Sequence, residues 1–150
     1  MNNENELFEI ENGVLTKVKN KEITETVIPE GVTEIEEEAF YECSNLKTIT
    51  IPNSVTKIGG SAFLHCESLT NVIIPEGVTE IGNQAFNYSY NDAGKISSVI
   101  LPSTIKVIGE AAFRGHSRLT DIIIPEGLVS IKMRAFEGCS NLKSIVFPST

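Results

Sequence analysis

The chain has 150 residues, enough for one domain with a real core. With 41% hydrophobic and 21% charged residues it is not a disordered chain, and three cysteines are too few and odd in number for a disulfide framework. A net charge of -8 argues against sequence-independent binding to nucleic acid or to anionic membrane surfaces. No apolar run reaches the roughly eighteen residues that cross a bilayer, and the N-terminus lacks the basic start and apolar stretch of a secretion signal. As given, the chain reads as cytoplasmic, with no membrane insertion.

In chain order, residues 7 to 18 predict a hairpin, with Asn12-Gly13 supplying the two positive-φ positions of a type I′ turn between Leu7-Phe8-Glu9-Ile10 and Val14-Leu15-Thr16-Lys17-Val18. Residues 1–22 are therefore assigned to an N-terminal cap and residues 23–150 to a repeat array. The array is measured out by its six prolines, Pro29, Pro52, Pro75, Pro102, Pro125 and Pro148, spaced 23, 23, 27, 23 and 23 residues apart. A fixed period in this range signals a solenoid, in which one repeat is one coil and neighbouring coils bury each other's apolar face.

Columns aligned on the prolines give the structure of a coil. Alternation just before each proline, as in Ile49-Thr50-Ile51 or Val72-Ile73-Ile74, predicts a half-buried strand, which the proline ends because it cannot donate to a ladder. A second short extended stretch follows at Val55 to Ile58 and its equivalents, closed by Gly59, Gly82 and Gly109, read as positions where positive φ is cheap. Ala-Phe then recurs ten and eleven residues after each of the first five prolines, with room for about a turn and a half of α- or 3₁₀-helix. Fourteen after stand Cys43, Cys66, Ser89, His116 and Cys139.

The resulting unit, L-x-x-I-x-I-P-x-x-V-x-x-I-x-x-x-A-F-x-x-C, resembles the BspA-like class of leucine-rich repeats over residues 23–150. The resemblance implies a right-handed, β-rich leucine-rich-repeat solenoid with short helical turns on its convex side. It also implies a non-enzymatic protein-interaction module, in a family whose members are often displayed on bacterial cell surfaces or secreted and bind host or matrix proteins. Two alternatives stand beside cell-surface binding: a cytoplasmic interaction protein and a structural spacer in a longer polypeptide. The sequence departs from the pattern at Glu36, Glu37 and Glu38, where other repeats carry glycine, in the missing cysteine of the third and fourth repeats, and in an insertion after Phe86.

Catalytic and metal signatures are absent from the sequence. Stacking order separates Cys43 and Cys66 from His116 and Cys139 by the Ser89 coil, leaving the two pairs about 10 Å apart at two strand spacings, so the column offers a metal two ligands at a time. The thiols read as small core fillers, although a bridge between Cys43 and Cys66 on adjacent coils is geometrically conceivable. His65 is expected at a solvated turn. Two histidines with Asp92 and Asp121 assemble no nucleophilic triad, and no phosphate loop, H-E-x-x-H or C-x-x-C is present. No cofactor, metal or enzymatic activity is expected.

Binding has three candidate places. On each pre-proline strand the residue two before the proline must face outward, giving a column of Val27, Thr50, Ile73, Ile100, Ile123 and Val146 rimmed by Glu25, Thr48, Asn71, Ser98, Asp121 and Ser144. The aliphatic stripe centred on Ile73, Ile100 and Ile123 has the form of a protein-contact surface, or else reflects strand propensity and packing along the face. The insertion, residues 87–95, carries Tyr88 and Tyr90 on an Asn-, Asp- and Gly-rich loop, where a specific contact or a tolerated lengthening are both open. The last strand, around Lys143 to Phe147, lies at an open edge, so either a longer array continues there or the edge self-associates with another molecule. Charge is polarised along the rod. The first 42 residues carry -9 and the remainder +1, a distribution that favours head-to-tail contacts weakened by salt.

Overall fold

Each of the first five prolines stands between two short strands of one coil, and Pro148 follows a sixth pre-proline strand, in the computed structural model, which describes residues 4–88 and 93–148. A single helical turn, α1 (Glu4–Leu7), leads into a hairpin of β1 (Phe8–Glu11) and β2 (Val14–Val18). Asn12 and Gly13 at its tip have φ of 52° and 80°, as a type I′ turn demands, and the pairing shifts register between Glu9 and Ile10. The strands before the prolines are β3 (Glu25–Val27), β5 (Thr48–Thr50), β7 (Asn71–Ile73), β9 (Ser98–Ile100), β11 (Asp121–Ile123) and β13 (Ser144–Val146). Those after them are β4 (Glu34–Ile35), β6 (Lys57–Ile58), β8 (Glu80–Ile81), β10 (Val107–Ile108) and β12 (Ser130–Ile131).

The post-proline strands continue the hairpin into a seven-stranded sheet, β1-β2-β4-β6-β8-β10-β12, parallel from β2 onward and in register one repeat at a time. The pre-proline strands pair in parallel as β3-β5, β7-β9 and β11-β13. Asn71 still faces Ser98 across β7 and β9, so the four-residue insertion does not slip the register.

The Ala-Phe segments are turns, not the short helices expected. In the second coil, Ala62, Leu64 and Cys66 donate their N–H groups to carbonyls three residues back, while Ser61, Phe63 and His65 donate to Asn83, Ala85 and Asn87 of the next coil. A helix would need all of these donors for itself. The alternation requires left-handed residues, and Glu38, Ser61, Gln84, Ala111 and Arg134, each nine after its proline, have φ between 52° and 60°. Backbone pairing thus runs from coil to coil around three sides of the solenoid.

The closing glycines also serve a purpose other than the one expected. Gly59, Gly82 and Gly109 do not adopt positive φ; a Cβ on Gly82 would stand 2.5 Å from the backbone nitrogen of Gly60, and one on Gly59 2.6 Å from that of Glu37. They are present because adjacent coils touch backbone to backbone there. Inside, Phe40, Phe63, Phe86, Phe113 and Phe136 stack in near-parallel pairs with centroids 4.9 to 5.7 Å apart, and Phe8 of the cap meets Phe40 edge-on at 6.1 Å. Ladders of Ile, Val and Leu fill the rest of one continuous core that includes Phe8, Leu15 and Val18 of the cap.

Candidate interaction surface

The outward column of the pre-proline strands is set by the period of two. On β7, β9 and β11 the middle residue (Val72, Val99, Ile122) is buried against the core while its neighbours face solvent. Val27, Ile73, Ile100, Ile123 and Val146 are consequently 51–70% exposed, and Thr50 is exposed in line with them. In-register pairing of Val27 with Thr50, Ile73 with Ile100, and Ile123 with Val146 aligns them as a straight stripe. The polar rim is partly tied together: the Ser144 hydroxyl donates to the Asp121 carboxylate at 2.7 Å, and this bond, with another from the Thr120 side chain, holds the Asp121 carboxyl below the usual carboxylate range. The surface is an apolar line in a hydroxyl, amide and carboxylate border, which suits a protein contact.

Tyr88 is elsewhere. It stands half-buried on the segment returning from the post-proline sheet, in a file of rings, Tyr41, His65, Tyr88 and His116, whose centroids are 6.1 to 6.5 Å apart, with the Lys21 ammonium 5.1 Å over Tyr41. His65 is therefore held between two tyrosines and not at a freely solvated turn. Tyr90 lies outside the described residues.

In the column headed by Cys43, the groups at Cys66, His116 and Cys139 have a polar function as well as a packing one. The Cys66 thiol donates to the Phe40 carbonyl at 3.3 Å, and Cys139 to that of Phe113 at 3.1 Å. His116 Nε2 lies 2.6 Å from the Phe86 carbonyl, the equivalent bond made by an imidazole. Each group satisfies the carbonyl of the phenylalanine one coil earlier. The other ring nitrogen of His116 accepts the Ile96 N–H at 3.3 Å, which fixes a neutral ring protonated on Nε2, and burial lowers its pKa below the ordinary histidine value. Burial pushes the Cys43 thiol up to about 11, against a small opposing pull from Lys21, and raises Cys66 further. Such thiols are neither nucleophiles nor ready metal ligands. All three cysteines are free, and no three metal-binding side chains come together among the described residues.

Column reading missed two exposed apolar residues. Val129 and Met133, in the coil of Pro125, are 77% and 67% exposed. The signal was present in the columns: Val129 follows Thr33, Thr56, Thr79 and Lys106, and Met133 follows Glu37, Gly60, Asn83 and Glu110. Both put apolar side chains in columns that otherwise carry polar residues or glycine.

Comparison with known proteins places this geometry. The family model for the BspA type leucine-rich repeat region matches in six copies over residues 9–91 and 87–150. Among solved structures, a leucine-rich repeat protein of T. pallidum is 30% identical with a TM-score of 0.81, over 88% of this chain and 62% of its own. One from Bacteroides ovatus is 29% identical with a TM-score of 0.61, over 85% of this chain and 38% of its own. One from Bacteroides capillosus is 25% identical with a TM-score of 0.50, over 91% and 86%. The chain thus spans under two thirds of the first two. No curated protein matches it.

Proposed function

Because the chain belongs to the BspA-type leucine-rich repeat family, whose repeats are generally protein-interaction modules, we propose that it binds a protein partner through the stripe of Val27, Ile73, Ile100, Ile123 and Val146. The observation that carries this reading is the exposure of five aliphatic side chains in one in-register line. Strand propensity asks only for β-branched residues at such positions, and Thr50 in the same column meets that need without adding apolar surface.

No catalytic family is indicated by the match, and the reading is of a binding surface without chemistry. Display at the cell surface, as the family resemblance implies, forms part of the proposal and is checked by labelling intact cells with a membrane-impermeant reagent. The division into a cap at residues 1–22 and an array at 23–150 is retained as part of the same reading, as is self-association through the edge at Ile145, Val146 and Phe147, which sedimentation at increasing concentration tests. For the stripe, the immobilised protein is compared with an Ile73→Lys, Ile100→Lys, Ile123→Lys variant. Proteins retained by the native surface and lost from the variant support the proposal; identical captured sets contradict it.

A further inference from the structure

The cap covers only one of the two rows of strands. Its strand β2 pairs with β4 at the start of the seven-stranded sheet, whereas β3, the first pre-proline strand, pairs with β5 alone. Ile28 donates its N–H to the Thr50 carbonyl and Thr24 accepts from the Lys47 N–H, so the even-numbered residues of this stretch face β5. By the alternation of a strand, Glu25 and Val27 turn their N–H and C=O groups to the opposite side, where no backbone group among the described residues meets them.

A groove of about 930 Å³ takes in residues of the cap, β3 and the outward face of β5, with Val27, Thr48 and Thr50 among its lining. Leu7 of the cap with Val27 and Pro29 of the first coil supply its solvent-reaching apolar lining, while Phe8 and Ile28 are buried, and Glu25 and Glu30 are among its lining carboxylates. Neither carboxylate has a cationic partner among the described residues, and the surrounding 42 residues carry a charge of -9. A row of unpaired backbone groups with an apolar floor and an acidic rim is complementary to a strand that alternates apolar and basic side chains.

We infer that the N-terminal edge of β3 is a strand-addition site for an extended peptide of alternating apolar and basic residues. The peptide would pair with the backbone of Glu25 and Val27, lay its apolar side chains against Leu7, Val27 and Pro29, and set its cations against Glu25 and Glu30. This site adjoins the aliphatic stripe, sharing Val27 with it, but lies away from the stripe's centre at Ile73, Ile100 and Ile123 and stands whether or not that centre binds a partner.

The test is calorimetric titration of the full chain with an end-capped hexapeptide alternating lysine and valine, beside a glutamate–valine counterpart. The lysine peptide is expected to bind and to weaken with added salt, while the glutamate peptide does not bind. Glu25→Gln with Glu30→Gln is expected to weaken binding about fivefold, the size of two exposed ion pairs. Val27→Pro removes the outward N–H at an edge position where proline is tolerated, and is expected to abolish binding in a folded protein. An Ile73→Thr, Ile100→Thr, Ile123→Thr variant keeps full peptide affinity, so failure of the stripe and failure of this site are separable. Equal affinity for the two peptides, or binding unaffected by Val27→Pro, would overturn the inference. So would Glu25 and Val27 amides already protected from hydrogen exchange in the free protein. Protection that grows with concentration would assign the edge to a second copy, and protection independent of concentration would assign it to the chain's own residues 1–3.

Discussion

Ile81 and Ile131 occupy the same place in the repeat, six residues after a proline and on a post-proline strand, yet Ile81 is fully buried and Ile131 is 37% exposed. The same divergence separates Phe86 from the half-buried Phe136, and Ile74 from Phe147, which is 63% exposed. The residues are equally apolar, and what differs is the following coil. In a solenoid a side chain is buried by its neighbour's repeat as much as by its own, so position along the array, not residue type, decides what a substitution costs. The N-terminal end makes the complementary point, since β1 and β2 close the core over Ile35 and Phe40, both fully buried.

The largest effect that separates the middle from the end is expected in the phenylalanine file. Phe63 stacks on rings at 4.9 Å on both sides, and Phe63→Ala is expected to lower unfolding stability by about 3–5 kcal/mol. Phe136, which stacks on Phe113 at 5.7 Å and is only half-buried, should lose about half as much in Phe136→Ala. Urea unfolding of the two variants compares them directly, and equal losses would mean that the last coil is packed like the middle.

Next in size is the backbone contact between coils. Gly82→Ala places a methyl against Gly59 and Gly60 and is expected to cost about 1–3 kcal/mol, since only backbone is available to move. Gly31→Ala, at φ 90° in open space, should cost about 1 kcal/mol through conformation alone. Thermal denaturation ranks the pair, and a larger loss at Gly31 would refute the close-approach account.

A smaller effect depends on pH. Burial lowers the pKa of His116 in the fold, so below about pH 6.5 the unfolded chain takes up the proton more readily than the folded one. The neutral ring's contribution is fully present above that pH and is lost as pH falls toward the folded value. His116→Cys restores the column's usual donor to the Phe86 carbonyl and forfeits the acceptor for Ile96 N–H, at about 1 kcal/mol. Its stability should vary less than the native protein's between pH 6.5 and 5, and an unchanged pH dependence would place the proton elsewhere.

Much of this was legible because each column repeats a physical requirement. Prolines marked the strand ends, Ala-Phe marked the core file, and the period of two placed Ile73, Ile100 and Ile123 outside. What the columns concealed was coil-to-coil hydrogen bonding. Ser61 and Gln84 carry no mark of a left-handed backbone, and a segment whose alternate N–H groups leave for the next coil looks, residue by residue, like a short helix. The glycines misled for a similar reason, because close approach and positive φ select the same residue. Cys66 and His116 appeared to share a packing slot, and only the direction of the Phe40 and Phe86 carbonyls shows that they share a hydrogen bond.

The smallest expected change in stability carries the most about function. If the stripe serves contact and not folding, Ile73→Thr with Ile100→Thr and Ile123→Thr should behave as Thr50 already does in the same column. Urea unfolding of this triple variant, paired with capture of the proteins that the native surface retains, tests the claim most directly. The account predicts a stability within about 1 kcal/mol of native, as expected for exposed strand positions that stay β-branched, together with loss of capture. A variant that unfolds several kcal/mol more readily, or that retains the same partners, would contradict it.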